Sequence, residues 1–163
     1  MILHSLHLEV IPFLAKTHVA FGILGGAIAY PFVGGDIFIF YTLVIIGSIL
    51  PDIDHQNSSI NKLMPVTNIL PKIFKHRGLF HSVFAVAGII ALFSIFSQQI
   101  FGYYLAIGYT AHLLSDAMTK MGVNVFYPFT TFKLRGPITT GTRAEALAAA
   151  FALGFAILFW SGF

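Results

Sequence analysis

Histidine and aspartate recur in four short clusters along this chain of 163 residues: His18 alone; Asp52, Asp54 and His55; His76, Arg77 and His81; and His112 with Asp116. Imidazole nitrogen and carboxylate oxygen are ligands for zinc, manganese or iron, and because the chain has no cysteine, any metal must rest on them. In Pro51-Asp52-Ile53-Asp54-His55 the proline stops the preceding run, and alternating carboxylates point the same way if the segment is extended. In His76-Arg77-Gly78-Leu79-Phe80-His81-Ser82 two histidines five apart bracket a helix start, where exposed amides and the helix dipole favour an anion. His112 and Asp116 stand four apart in a helical run, so one lies above the other and the two can share an ion. Taken singly, each cluster has an ordinary explanation: a polar exit loop, a basic headgroup anchor, a helical hydrogen-bonded pair, or a satisfied interfacial histidine.

The elements that must position these groups are apolar. Mean hydropathy is +0.86, apolar types make up 57% of the chain and charged types only 9%, against roughly a quarter charged in soluble domains. This composition predicts one integral membrane domain spanning residues 1–163, all-α, a polytopic transmembrane helix bundle. Five apolar stretches, 18–32, 37–50, 79–96, 100–117 and 144–163, give about five spans, the first two short against the usual ~20 residues. Tight turns join them at Gly34-Gly35 and near Ser97-Gln98-Gln99, leaving two irregular loops, 51–78 and 118–143. Residues 1–15 lack Lys and Arg and read as a leader or interfacial segment rather than a secretory signal. Gly22, Gly25 and Gly26 suit close helix packing.

Charge fixes the orientation. On a five-span path all nine basic residues fall on one side: Lys16, Lys62, Lys72, Lys75, Arg77, Lys120, Lys133, Arg135 and Arg143. The positive-inside rule makes that side cytoplasmic, with the N-terminus and both loops there. The same path carries all eight candidate ligands, His18, Asp52, Asp54, His55, His76, His81, His112 and Asp116, to that side. Ionisable groups are costly near hydrocarbon unless paired or bound to metal, so their shared depth favours a metal site over unrelated polar residues. The set suits one or two divalent ions, zinc or manganese foremost. A bridged pair about 3.5–4 Å apart would stabilise the oxygens of a displacement at phosphorus. Arg77, Lys133 and Arg135 are placed to hold the phosphate.

At these residues the sequence resembles the YdjM-like family of membrane-bound metal-dependent hydrolases. The matching pieces are Thr17-His18, Leu50-Pro51-Asp52-Ile53-Asp54-His55, His76-Arg77-Gly78-Leu79-Phe80-His81-Ser82, Gly108-Tyr109-Thr110-Ala111-His112-Leu113-Leu114-Ser115-Asp116, and Gly122-Val123-Asn124-Val125-Phe126-Tyr127-Pro128-Phe129. The resemblance implies a hydrolytic protein of the inner membrane with a metal site.

The expected function is hydrolysis of a phosphoester or pyrophosphate bond in a lipid or other amphiphile at the cytoplasmic face. Arg77 would stabilise developing negative charge, and one carboxylate or histidine off the metal would act as base, with Asp54 and His55 the candidates. Membrane lipid is the expected partner; a formal charge of +3, scattered along the chain, does not point to nucleic acid. Two other functions compete. A non-catalytic protein could use metal to staple its helices, in closed and fully coordinated sites. A metal or ion transporter needs polar groups at mid-membrane, and Val83-Phe84-Ala85-Val86-Ala87-Gly88 and the stretch 146–160 offer none.

Overall fold

The structure, a computed structural model, describes residues 3–54 and 77–162, without the side chains of residues 3–14 and of Asp54. Among the described residues the chain is all-helical, with five α-helices and no strand: α1 (Leu3–Val33), α2 (Ile37–Ile49), α3 (Val83–Ile95), α4 (Gln99–Ala117) and α5 (Arg143–Ser161). Two short 3-10 helices, Leu50–Asp54 and Leu79–His81, follow α2 and precede α3. α1 runs without a break from Leu3, so the stretch read as a leader or interfacial segment is helical as far as it is described and continuous with the first apolar stretch.

Five helices match the five apolar stretches, but their lengths differ from the expectation. Arg143–Ser161 is the one helix among the described residues long and apolar enough by itself to cross a membrane. α2 and α3 are apolar but have 13 residues each, while α4, with 19, carries His112, Ser115, Asp116 and three tyrosines. Of the polar groups on α4, Tyr104, Tyr109, His112, Ser115 and Asp116 are buried, while Tyr103 is exposed.

α4 is the central helix, packed against α1, α2 and α3, with α5 laid on α1. Its buried positions include Tyr104, Gly108, Tyr109, His112 and Asp116, whereas α3 has no buried residue. On α5 the buried residues are Glu145, Ala152 and Ala156, one stripe toward α1. Large apolar side chains cover the outside, among them Phe32, Phe38, Ile95, Phe151 and Ile157. Contiguous apolar surface on this scale is unstable in water and natural in lipid.

The close approach of α2 to α4 places the polar groups. A Cβ on Gly108 would run into the Val44 carbonyl, and one on Gly47 into the Leu105 carbonyl. α1 joins them at Gly22, where a Cβ would lie 2.7 Å from that of Ser48. The turn before α2 uses Gly34 and Gly35 at φ 65° and 100°, and Asp36 Oδ1 caps α2 by accepting from the amides of Phe38 and Ile39.

The loop after α4 is more ordered than its composition suggests. Val123 and Leu134 exchange backbone hydrogen bonds, and Lys120 N donates to Ile138 O at 2.8 Å. Val83 N at the start of α3 donates to Val125 O, which ties this ribbon across the end of the bundle. Gly108→Ala should lower stability by about 1–3 kcal/mol through overpacking and reduce metal content, measured by thermal unfolding in detergent and elemental analysis. Gly88→Ala, facing open space on α3, should change neither.

Candidate metal centre

Four of the expected ligands converge from three elements. Asp52 Oδ1 lies 3.8 Å from His81 Nε2 and 3.8 Å from His112 Nε2. Asp116 Oδ2 lies 3.6 Å from His81 Nε2 and 3.9 Å from His112 Nε2. All four separations are too long for hydrogen bonds. They are near the spacing of ligands around one ion, since tetrahedral bonds of about 2.1 Å set ligand atoms about 3.4 Å apart. His112 Nε2 and Asp116 Oδ2 are buried and have no hydrogen-bond partner among the described residues. Buried polar atoms are nearly always partnered, and a cation at the middle of the quartet would satisfy both. The residues present therefore fit a divalent ion.

Each imidazole is aimed by a neighbour. His112 Nδ1 is 2.8 Å from the Ser48 carbonyl oxygen, which can only accept, so the proton sits on Nδ1 and the Nε2 lone pair faces the quartet. His18 Nδ1 is 2.6 Å from Ser115 Oγ, and that hydroxyl already donates to His112 O. Ser115 must then accept from His18, which leaves His18 Nε2 unprotonated. The His18 ring stacks on His112 with centroids 3.8 Å apart, and His18, His112 and Asp116 have ligand atoms within 4.8 Å of one another. Because His112 has one nitrogen to offer, this second group and Asp52, His81 and His112 describe a single centre rather than two separate ones.

His81 ends a 3-10 helix that is held from α4, where Tyr109, one turn before His112, donates its hydroxyl proton to Phe80 O. Arg77 Nη2 bonds Asp116 Oδ1 at 2.6 Å and Nη1 bonds Gly122 O at 2.7 Å, so the guanidinium orients a ligand as well as carrying charge. With Oδ1 committed to Arg77, Oδ2 is the Asp116 atom left for metal. Burial alone would raise the Asp52 carboxyl, whereas positive charge on the facing imidazoles of His112, His81 and His18 pulls it below the usual carboxylate range. Asp52 is ionised in consequence, the form a cation needs. Its side chain is 24% exposed while those of His81 and His112 are fully buried, so the centre is approached from the Asp52 side.

Arg135 and Lys133 are exposed on the ribbon. Arg135 packs beside Gly122, where an added Cβ would meet its Cγ at 2.5 Å, next to the carbonyl that binds Arg77. His55 and His76, and the side chain of Asp54, lie outside the described residues. Sequence reasoning missed Ser48 and Ser115. Ser115 carried a readable signal, a hydroxyl three residues beyond His112 on the ligand-bearing helix; Ser48 acts through its backbone and carried none.

Ser115→Ala should weaken metal binding by about 10–100-fold, the usual effect of losing an outer hydrogen-bond partner, with Ser115→Thr recovering most of it. Competition titration with a chromogenic chelator measures this, and an alanine variant that binds as the wild type does would show that the hydroxyl does not fix His18.

Comparison with known proteins gives the family. The family model described as YdjM inner membrane protein matches residues 13–163. YvsG of Bacillus subtilis (strain 168) is 30% identical over 142 residues, 83% of this chain and 86% of that protein. The inner membrane protein YdjM of Escherichia coli (strain K12) is 30% identical over 112 residues, 63% of this chain, and the match spans 56% of that protein's length. YdjM of Shigella flexneri gives the same figures, 30% over 112 residues. No solved structure matches. The chain belongs to the YdjM family of inner membrane proteins.

Proposed function

We propose that this chain is a multi-pass, metal-dependent hydrolase that cleaves a phosphoester or pyrophosphate bond of an amphiphilic substrate at the cytoplasmic face of the membrane. The observation that carries the reading is that Asp52 Oδ1 and Asp116 Oδ2 each lie 3.6–3.9 Å from both His81 Nε2 and His112 Nε2, with His112 Nε2 and Asp116 Oδ2 buried and without a hydrogen-bond partner among the described residues. Asp52, His81, His112 and Asp116 would hold the ion, with His18 beside them. Zinc or manganese suits these donors. A divalent ion held there supplies a Lewis acid that acidifies water and draws in a phosphoryl oxygen.

The chain's own residues do the rest. A divalent cation balances the Asp52 and Asp116 carboxylates, and Arg77 leaves the centre with positive charge that favours a phosphate. Lys133 and Arg135 extend that charge along the ribbon toward headgroups. Phe126, Phe129 and Phe132 are exposed on the same ribbon, a mixture suited to an amphiphile at the bilayer surface. Five helices with apolar outer faces, and all nine basic residues on one side of the five-span path, support the multi-pass topology.

Purified protein should release phosphate from lipid phosphates or pyrophosphates, lose that activity with chelator and regain it with one divalent metal. His81→Ala should remain in the membrane without metal and without activity. Metal bound with no hydrolysis on any phosphate ester would instead favour a structural ion.

The native chain has no cysteine, so single introduced cysteines report topology directly. At Lys133 one should react with a membrane-impermeant maleimide only from the cytoplasmic side, and at Gln98 only from the opposite side.

A further inference from the structure

A small cavity of about 20 Å³ lies behind the metal centre, lined by Thr17, His18, Asp116, Thr140 and Glu145, with Arg77. Glu145 comes from α5, far from every motif described above, and is only 3% exposed. One of its oxygens is already engaged, since Oε2 accepts from Gly141 N at 2.6 Å, close to a helix-capping arrangement at the start of α5. The Gly141 bond leaves Oε1 to the cavity side, and Oε1 is not wholly enclosed. Thr140 Oγ1, on the same cavity wall, is buried and without a hydrogen-bond partner among the described residues. Two such polar atoms on a cavity this size match the requirement of one ordered water, which needs roughly 10–15 Å³ and two to four polar partners.

Glu145 is not among the groups whose ligand atoms converge, so it stands outside the metal's donor set. That leaves it available when the centre itself is not. His112 carries its proton on Nδ1 and points Nε2 inward, His18 does the same through Ser115, and Asp116 divides its oxygens between Arg77 and the centre. Among the described residues, Glu145 is the buried carboxylate free to take up a proton near the centre.

We propose that Glu145 and Thr140 hold a water in this cavity and that Glu145 is the proton acceptor of hydrolysis, reached through that water; this rests on the hydrolase reading above. The attacking water's oxygen forms the new bond to phosphorus as the bond to the leaving oxygen breaks. Its proton passes by way of the cavity water to the Glu145 carboxylate, which then returns it to the leaving oxygen or to solvent. Nothing is oxidised or reduced.

The test has two arms. A crystal structure of the metal-free protein, at a resolution that resolves waters, should show one water between Glu145 Oε1 and Thr140 Oγ1; a dry cavity, or a Glu145 turned out of it, overturns the proposal. Glu145→Gln keeps the shape and the acceptor for Gly141 N, so metal content and thermal stability should match the wild type. Phosphate release should fall by about 100- to 10,000-fold, the range for removal of a general base. Thr140→Val, which removes the other partner of the water, should reduce release less. Undiminished release by Glu145→Gln with the metal in place removes the proton-acceptor role. A wild-type protein that binds metal and hydrolyses no phosphate ester defeats the hydrolase reading and this role with it, while the water site stands or falls on the crystal structure alone.

Discussion

Helices α2 and α4 touch backbone to backbone at Gly47 and Gly108, and the direction of the His112 imidazole follows from that contact. In lipid there is little hydrophobic drive to press helices together, so small residues that let backbones meet are what hold them in register. The approach brings the Ser48 carbonyl within 2.8 Å of His112 Nδ1, one turn along α4 from Gly108. The carbonyl fixes the proton, the proton fixes which nitrogen faces inward, and the inward nitrogen faces Asp52 and His81. A separation of α2 from α4 by the width of a methyl group would leave the ring free to choose its tautomer and its angle.

The centre gathers groups that would otherwise repel lipid and one another. Asp116 is almost wholly buried, and a buried carboxylate without a partner is strongly unfavourable. Arg77 answers one of its oxygens and, with Gly122, links the end of α4 to the segment before α3. Among the described residues the other oxygen has no hydrogen-bond partner, and a cation held with Asp52 and the two imidazoles would answer it. Such a cation would join the end of α2, α4 and the turn before α3, and would couple metal binding to the assembly of this end of the bundle. The Tyr109 hydroxyl on Phe80 O works in the same direction by holding His81 against α4.

Much of this was legible in the amino-acid sequence, for reasons that can be stated residue by residue. His18, Asp52, His81, His112 and Asp116 are costly types at the ends of apolar runs, which marked them as a candidate group before any contact between them was known. The helices were legible from apolar runs, and Gly22, Gly25 and Gly26 from their small size. Three things were not. Ser48 contributes a backbone atom, which no residue type advertises. The commitment of Arg77 to Asp116 depends on an approach between segments 39 residues apart, which spacing does not encode. The ribbon after α4 reads as an irregular loop because its pairing is by isolated bridges, too short to leave an alternating pattern.

Glu145 escaped notice for a different reason. It opens a helix with an apolar outer face, and an acid in the first turn of a helix is unremarkable there, since the exposed amides favour it. Its depth becomes evident only when α5 is laid on α1, where Ala152 and Ala156 continue the same buried stripe. Those alanines are small enough to let α5 lie close, and the closeness walls in the cavity that Glu145 shares with His18. The last helix therefore does more than anchor the chain in lipid. It closes the wall behind the candidate metal centre, and the polar interior at this end of the bundle is incomplete until α5 has packed against α1.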